Sequence, residues 1–278
     1  MRGVVLLKRS CVVVSVLMMA SVSVTPLGLH SSVAGASQIS PQAVTLSDGV
    51  QATEVVTSSR LSCALSDGTV VCWGSTYYGV LGDGVTQSGS RDYPKAVSST
   101  NGFSNSSVTS VVAGSNSVCT LEGGSVFCWG VNSRGQLGDG STTNSAVPVK
   151  VSDNATSGFV NQDIVAIGAG DQMACAVRDV PSVGDQLFCW GENFSTNSDD
   201  PDLLSPALVT AGPDFVNDGS EDITAMAFGS SNICVLVDGS VSCWGNSDGM
   251  LLGRSGLVDQ VNYTFEQPRK VEPNGDRK

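Results

Sequence analysis

The chain has 278 residues, of which 41% are hydrophobic, so it is long enough and apolar enough to bury a sizeable core. Its 26 acidic residues outnumber its 14 basic residues, which gives a formal net charge of −12. A surface of this sign repels phosphate backbones and anionic lipid, and this disfavours nucleic acids and membrane surfaces as partners. Glycine is abundant and aromatic residues are few, a composition typical of short strands joined by tight turns.

The N-terminal end has the composition of a secretory signal peptide. Arg2, Lys8 and Arg9 supply positive charge, residues 12–29 are largely apolar, and a run of small residues ends at Ala36. We expect cleavage after this run and export to the cell surface or the extracellular medium. The alternative is that the apolar segment is retained as a membrane anchor.

The eight cysteines that follow the predicted signal peptide occur in four pairs, each arranged around a hairpin turn. In the second pair, Cys119 and Cys128 flank Gly123-Gly124 symmetrically, and a Gly-Gly turn favours a hairpin because both residues can take positive φ. Counting outward places the two cysteines directly opposite each other at a non-hydrogen-bonded position, where a disulfide fits. The third hairpin is predicted to have a longer loop, from Asp179 to Asp185. The predicted disulfides are Cys63–Cys72, Cys119–Cys128, Cys175–Cys189 and Cys234–Cys243, which agree with an oxidising compartment.

Each hairpin lies inside a repeat of roughly 50–60 residues. A β-rich segment precedes the hairpin and a short Pro-x-x-Val segment follows it, so every repeat supplies four strands. Because proline is tolerated at the edge of a sheet, the fourth strand is expected to be an edge strand. The opening segments are 52–56, 108–112, 163–167 and 222–226, and the closing segments are 94–97, 148–151, 206–209 and 268–271, with an additional copy at 41–44. The pattern predicts an all-β fold of four small sheets, with the Ser/Asn/Gly-rich linkers 98–107 and 152–161 as surface loops.

Every second cysteine is followed by tryptophan and glycine. The four tryptophans are Trp73, Trp129, Trp190 and Trp244. Because they recur at equivalent positions, we expect them to pack between sheets and not to form a sugar-binding platform.

The second repeat carries the fullest motif, Cys-Thr-Leu-Glu-Gly-Gly-Ser-Val-Phe-Cys-Trp-Gly over residues 119–130, then Asn132-Ser-Arg-Gly-Gln-Leu-Gly-Asp-Gly140. This motif resembles the repeat of the regulator of chromosome condensation (RCC1-like) superfamily, in the cysteine-bonded form of exported bacterial members. The resemblance covers roughly residues 50–272 and implies a β-propeller, usually seven-bladed. The third repeat lacks the Gly-Gln-Leu-Gly part after Gly191, and the fourth has a different sequence at 249–253.

Only four hairpins are present, so we expect an incomplete, open propeller. The predicted division is a signal peptide at 1–36, an N-terminal segment with a possible outer strand at 37–50, four repeats at 51–272 and a C-terminal tail at 273–278. An open propeller leaves two apolar faces without neighbours, which predicts self-association or a protein partner. The alternatives are a closed four-bladed ring and a fragment of a longer protein.

The predicted mature chain offers little catalytic chemistry. Its one histidine, His30, lies in the predicted signal peptide, and all cysteines other than Cys11 are assigned to disulfides, so no Cys/His dyad or histidine metal site is expected. Asp83 and Asp139 lie in Leu-Gly-Asp-Gly turns and are candidate cation ligands, although Asp-Gly commonly just closes a turn. The acidic run 199–202 offers oxygen ligands for calcium without a recognisable ligand spacing. We predict no enzyme activity, no catalytic residue, no metal and no cofactor.

The leading hypothesis is a secreted or cell-surface binding propeller that mediates protein interaction. The turn after each Trp-Gly occupies the same rim position in every blade and varies most among the repeats, so binding is predicted there. The candidate residues are Tyr77, Tyr78, Ser133, Arg134, Phe194 and Asp248. The alternative for the aromatic residues is that they pack back onto the blade. Two other functions stay open: a carboxylate-dependent hydrolase acting on glycans, and a structural envelope protein.

Overall fold

The structure, a computed structural model, describes residues 51–193, 201–209, 217–230 and 232–246 and the strand at 265–270. The chain divides into two compact units, Met1–Ala43 and Val44–Lys278, and all described residues lie in the second. The predicted signal peptide, the additional copy at 41–44 and the C-terminal tail lie outside the described residues. No helix in the described part of the chain is long and apolar enough to span a membrane.

The second unit consists of four four-stranded antiparallel sheets, here called blades 1 to 4, in which the strands pair in chain order. Blade 1 contains β1 (Glu54–Thr57), β2 (Leu61–Ser66), β3 (Thr69–Ser75) and β4 (Ser90–Ala96). Blade 2 contains β5 (Val108–Ala113), β6 (Ser117–Glu122), β7 (Ser125–Gly130) and β8 (Ser145–Lys150). Blade 3 contains β9 (Ile164–Ala169), β10 (Met173–Val180), β11 (Gly184–Gly191) and β12 (Leu203–Leu208). Blade 4 contains β13 (Ile223–Phe228), β14 (Asn232–Val237), β15 (Ser240–Asn246) and β16 (Phe265–Lys270). The all-β prediction of four strands per repeat is therefore confirmed.

The hairpins adopt the register that the turn residues predict. Gly123 and Gly124 have φ of 58° and 76°, as a two-residue turn with positive φ at both positions requires, and Cys119 lies opposite Cys128. All four cysteine pairs are disulfide-bonded within their own hairpins, with Cα atoms 4.0–4.1 Å apart. The predicted loop from Asp179 to Asp185 is too long, because these two residues still pair and the ladder continues to Val180 and Gly184.

Each blade has two apolar faces, because successive side chains of a strand point to opposite sides. In blade 2, Cys119 and Cys128 belong to the buried cluster shared with blade 3, while Val118, Phe127 and Trp129 belong to the cluster shared with blade 1. We call these the cystine face and the tryptophan face. The cystine face of each of blades 1, 2 and 3 packs against the tryptophan face of the following blade. Among the described residues, no buried cluster joins blade 4 to blade 1, as expected for an open propeller.

Most residues of the first two linkers between blades lie at the surface, as predicted, but one aromatic ring in each of them is buried. Phe103 and Phe159 are buried, and their rings lie 6.3 and 6.4 Å from those of Trp129 and Trp190 respectively. The polar composition of these segments concealed a repeated Phe-x-Asn motif whose aromatic ring fills the blade interface.

The asparagine of this motif is buried and bridges two strands of the preceding blade. The amide oxygen of Asn105 accepts a hydrogen bond from the Val70 N–H at 2.7 Å, and its Nδ2 donates to the carbonyls of Val70 and Val97. Asn161 makes the same three bonds with Val126 and Val151. Asn217 repeats them with Leu187 and Val209. A buried amide with its hydrogen-bonding capacity filled in this way stabilises the otherwise unpaired ends of blades 1, 2 and 3.

Glu122 orders the first of these linkers. Its carboxylate accepts hydrogen bonds from the backbone N–H groups of Ser104, Ser106 and Ser107 and from the Ser104 hydroxyl. Burial raises the pKa of Glu122, but these hydrogen bonds stabilise the charged form more strongly, and the pKa lies below its ordinary value of 4.5.

A carboxyl group with a lowered pKa stabilises the fold above its ordinary pKa, and this stabilisation is lost as the pH falls through the folded-state value. We expect Glu122→Gln to lower the free energy of unfolding by about 1–2 kcal/mol at pH 7, because one acceptor oxygen becomes a donor among N–H groups. The deficit should shrink below pH 4.5. Urea unfolding across this range measures it, with the exposed Asp92→Asn as a control of equal charge change. A deficit independent of pH would contradict the role of the charge.

Peptide mapping without reduction tests the hairpin disulfides. We expect digestion to release each of the four cysteine pairs as one cross-linked peptide, because the paired Cα atoms are at most 4.1 Å apart. Alkylation should find no free thiol among these eight cysteines unless the sample is first reduced. A cross-link between two different hairpins would contradict the strand register.

Candidate binding surface

The connections between the first and second strands of a blade and those between the third and fourth lie at the same end, because neighbouring strands run in opposite directions. Backbone hydrogen bonds join them: the N–H of Ser75 donates to the Arg60 carbonyl, and the N–H of Val131 donates to the Asn116 carbonyl, at 2.8 and 2.9 Å. We call this side of the molecule the loop end. The hairpin turns and the linkers lie at the other end, where Glu122 binds the linker serines.

The loops after β3 and β7 are held in the same way by the following blade. Gly79 lies against Ala146 in β8 and Gly135 lies against Leu204 in β12, so closely that an added Cβ would come within 2.4 and 2.9 Å of their respective Cα atoms. Farther along each loop, the N–H of Gly84 donates to the Ala146 carbonyl and the N–H of Gly140 donates to the Leu204 carbonyl, both at 2.9 Å. The two loops therefore have equivalent backbones supported by the next blade.

The tryptophan of the following blade completes this support. Trp129 Nε1 donates to the Val80 carbonyl and Trp190 Nε1 donates to the Gln136 carbonyl, both at 3.0 Å. A Cβ added at Gly82 would lie 2.7 Å from the Trp129 ring, and the same holds for Gly138 and Trp190. The Leu-Gly part of the motif therefore forms the contact between blades, and the prediction that tryptophans pack between blades holds at these two positions.

Asp83, a candidate cation ligand, is occupied by protein groups. Its carboxylate forms ion pairs with Arg91 and, at 3.3 Å, with Lys95, and it accepts a hydrogen bond from the Val85 N–H. Burial raises the pKa of Asp83, but the hydrogen bonds from Arg91, Val85 and Lys95 have the opposite and larger effect. The pKa therefore lies below its ordinary value. The carboxylate therefore orders its own loop.

Asp139 has a comparable structural role in the second loop. It accepts hydrogen bonds from Asn132 Nδ2 at 3.1 Å and from both the backbone N–H and the hydroxyl of Ser141. In the acidic run 199–202, Asp202 pairs with Arg134 at 3.3 Å, whereas residues 199–200 lie outside the described residues. No group of three or more acidic, cysteine or histidine side chains in the described part of the chain is arranged to hold a metal ion.

Tyr77 and Tyr78 form an exposed aromatic pair on the first loop. Their side chains are 44% and 54% exposed, and the ring centroids are 6.2 Å apart. The alternative that they pack back onto the blade does not apply. Tyr78 has φ of 59°, a left-handed backbone conformation that residues other than glycine seldom adopt. Its neighbour Gly79, held against Ala146, keeps the backbone in this position.

Ser133 and Arg134 occupy the equivalent positions in the second loop, immediately before Gly135. Both are exposed, and the Arg134 Nη1 atom lies 3.3 Å from the Asp202 carboxylate of blade 3. The structure thus places four of the six candidate residues at the loop end, on two adjacent blades. The other two candidates, Phe194 and Asp248, lie outside the described residues.

The sequence did not single out Glu192 and Asp171, whose carboxylates interact at this end of the molecule. Burial raises the pKa of Glu192, the charges of Asp202 and Asp171 raise it further, and Arg134 opposes them. Asp171 also accepts a hydrogen bond from the Ser115 hydroxyl at 2.6 Å. The position of Asp171 in the sequence could have located it. It follows Gly170 in the connection between β9 and β10, and the antiparallel pattern places this connection at the loop end.

Two segments of the chain match a known repeat. Residues 67–121 and 123–177 match the model of the regulator of chromosome condensation (RCC1) repeat. Each matched segment begins at or next to a hairpin turn of one blade and continues into the second strand of the next, so one RCC1 repeat spans a blade interface.

The similar curated proteins are much longer than this chain. The human E3 ubiquitin-protein ligase HERC2 is 26% identical over 242 residues, which cover 83% of this chain and 4% of HERC2. A Dictyostelium discoideum bifunctional serine/threonine-protein kinase/NEDD4-like E3 ubiquitin-protein ligase is 27% identical over 205 residues, or 70% of this chain and 10% of that protein. The chain therefore spans only a small part of each of these relatives.

Solved structures show the same fold. Human WBSCR16 superimposes with a TM-score of 0.63 at 19% identity, over 81% of this chain and 54% of its own. Yeast RCC1 (Prp20), in its structure with Kap60 bound, also has a TM-score of 0.63 and 19% identity. The match covers 81% of this chain and 51% of the yeast chain. The prediction of a propeller built from RCC1-like blades is confirmed, and the chain spans about half the length of these propellers.

The contact of Gly138 with Trp190 can be tested against a matched glycine. We expect Gly138→Ala to lower the free energy of unfolding by about 2–4 kcal/mol, because the methyl group meets the indole ring and φ is positive. Gly140→Ala has the same backbone cost but no atom closer than 4.0 Å, so we expect a loss of about 1 kcal/mol. Urea unfolding followed by tryptophan fluorescence compares the two. Equal losses would show that the indole contact contributes nothing.

Proposed function

We propose that this protein is a non-catalytic binding propeller that recognises another protein at its loop end, with Tyr77, Tyr78 and Arg134 at the centre of the contact. The observation that carries the proposal is the exposed tyrosine pair on a loop whose backbone the next blade holds in place. Tyrosine and arginine are the residue types that most often contribute large binding energies at protein interfaces.

The next blade holds the first loop in place, and this favours high affinity for a partner in addition to keeping the tyrosine pair exposed. A partner that binds a loop already held by Gly79 and by the Val80 carbonyl loses little conformational entropy in ordering it. The tyrosine rings offer apolar area with a hydroxyl group at the tip. On blade 3, Asp171, Glu192 and Asp202 add negative charge that suits basic groups of a partner. The yeast RCC1 structure with Kap60 supports a protein as the kind of partner for this fold.

We place this function outside the cytosol, on the cell surface or in the extracellular medium. The support is the disulfide in every hairpin, since such bonds persist in oxidising compartments. The N-terminal sequence, with its charged and apolar stretches, agrees with export.

One observation favours a second candidate, the carboxylate-dependent glycan hydrolase. Glu192 has a raised pKa beside the charges of Asp171 and Asp202, and a general acid needs such a shift. Turnover of a glycan panel that is lost in Glu192→Gln would favour the enzyme over the binding protein.

Tyr77 and Tyr78 provide the direct test of the binding role. The oxidised protein, used to capture and cross-link proteins from the extracellular medium, identifies the partner. Titration then compares wild type with Tyr77→Ala and Tyr78→Gly, and we expect each to weaken binding about 10-fold or more without lowering the melting temperature. Glycine at position 78 suits the positive φ there, so its effect on binding is separable from backbone strain.

Tyr93→Ala is the matched control, because Tyr93 is 59% exposed but lies within β4 and outside the loops. It should leave the partner's affinity unchanged. A lower melting temperature with full affinity in the Tyr77 and Tyr78 variants would assign these rings to folding and refute the proposed contact.

A further inference from the structure

Two blade faces have no described blade against them, and they are of opposite kinds. Blade 1 presents its tryptophan face, which contains Val55, Ala64, Val71 and Trp73. Blade 4 presents its cystine face, which contains Cys234, Leu236, Val241 and Cys243. These are the two kinds of face that meet in all three interfaces within the chain.

The tryptophan face of blade 1 is more exposed than its equivalent in blade 2 at Val55 and Trp73, although Ala64 on the same face is buried. Val55 pairs with Ala64 as Val111 pairs with Thr120 in blade 2, yet Val55 is 65% exposed and Val111 is fully buried. Trp73 is partly exposed, whereas Trp129 at the same position is fully buried.

Trp73 also differs in its hydrogen bonding. The indole N–H groups of Trp129 and Trp190 each donate to a loop carbonyl of the preceding blade at 3.0 Å. The indole of Trp73 donates to no acceptor among the residues that the structure describes. The missing contact is the one that a preceding blade supplies.

The cystine face of blade 4 is likewise more exposed than its equivalent at Leu236 and Val241, although Cys243 on this face is buried. Val241 lies opposite Leu236 as Val126 lies opposite Leu121 in blade 2. Val126 and Leu121 are buried under blade 3, whereas Val241 is 38% exposed and Leu236 is partly exposed.

We propose that a second copy of this chain covers these faces, with the cystine face of blade 4 in one copy docked on the tryptophan face of blade 1 in the next. The argument is continuity, because the contact repeats the packing already present between blades 1 and 2, 2 and 3, and 3 and 4. The interface is head to tail, so the assembly forms a ring if the rotation between copies closes and grows further if it does not. This inference does not depend on the proposed role of the loop end.

The charge of the chain distinguishes this association from an electrostatic one. Two copies with a net charge of −12 repel each other, so the attraction comes from apolar area. Added salt screens the repulsion, and we expect it to strengthen the association.

Light scattering after size exclusion, on the oxidised full chain, tests the proposal. Wild type is expected at a mass of at least two 28.5 kDa chains. Val55→Lys and Val241→Lys each place a charge on one of the two faces and should each raise the dissociation constant about 100-fold or more, leaving monomers. Val183→Lys is the matched control, because Val183 is 45% exposed in the hairpin loop of blade 3 and belongs to neither face.

Mixing the two monomeric variants provides the decisive measurement. Val55→Lys keeps an intact cystine face and Val241→Lys keeps an intact tryptophan face, so a mixture should form a one-to-one dimer that does not grow. A monomeric wild type, an assembly that survives either lysine, or a mixture that stays monomeric would each overturn the proposal. Circular dichroism and an unchanged disulfide map establish that the variants are folded.

Discussion

The packing of Trp129 and Trp190 on the Leu-Gly turns of the preceding blades is the central contact of the fold. The Trp129 indole donates a hydrogen bond to Val80 and lies against Gly82, where no larger residue would fit. This one contact joins two blades, buries a large aromatic ring and holds the loop that carries Tyr77 and Tyr78. Blade order and loop geometry therefore have the same physical origin.

A second consequence is that the chain has a direction. Because the cystine face of one blade always meets the tryptophan face of the next, the interfaces cannot be reversed, and the two terminal faces are complementary and not alike. The buried Asn105, Asn161 and Asn217 bind the ends of blades 1, 2 and 3, where the linker leaves each of these blades. Repeat proteins of this kind gain stability from contacts between neighbours, since a single small sheet cannot bury both of its faces.

The loop end combines a constant backbone with variable side chains. Gly79 and Gly135 hold equivalent positions against the next blade, while the residues before them change from a tyrosine pair to Ser133 and Arg134. Such a surface can change its binding chemistry without a cost to the packing beneath it. The repeated packing between blades therefore explains the scaffold of this protein, and the variable loops account for the function proposed for it.

The hairpins, their cysteine pairing and the four-stranded repeat could be predicted from the amino-acid sequence. These depend on turn residues such as Gly123 and Gly124 and on alternation along the strand, which act between residues close in the chain. The candidate residues Tyr77 and Arg134 were likewise found from their place in the repeat, whereas Asp171 and Glu192 were missed. The folded structure was needed to show that Asn105 and Phe103 are buried, that Asp83 is paired with Arg91, and which blade faces meet. Those outcomes depend on partners in other strands and other blades, whose positions local composition does not encode.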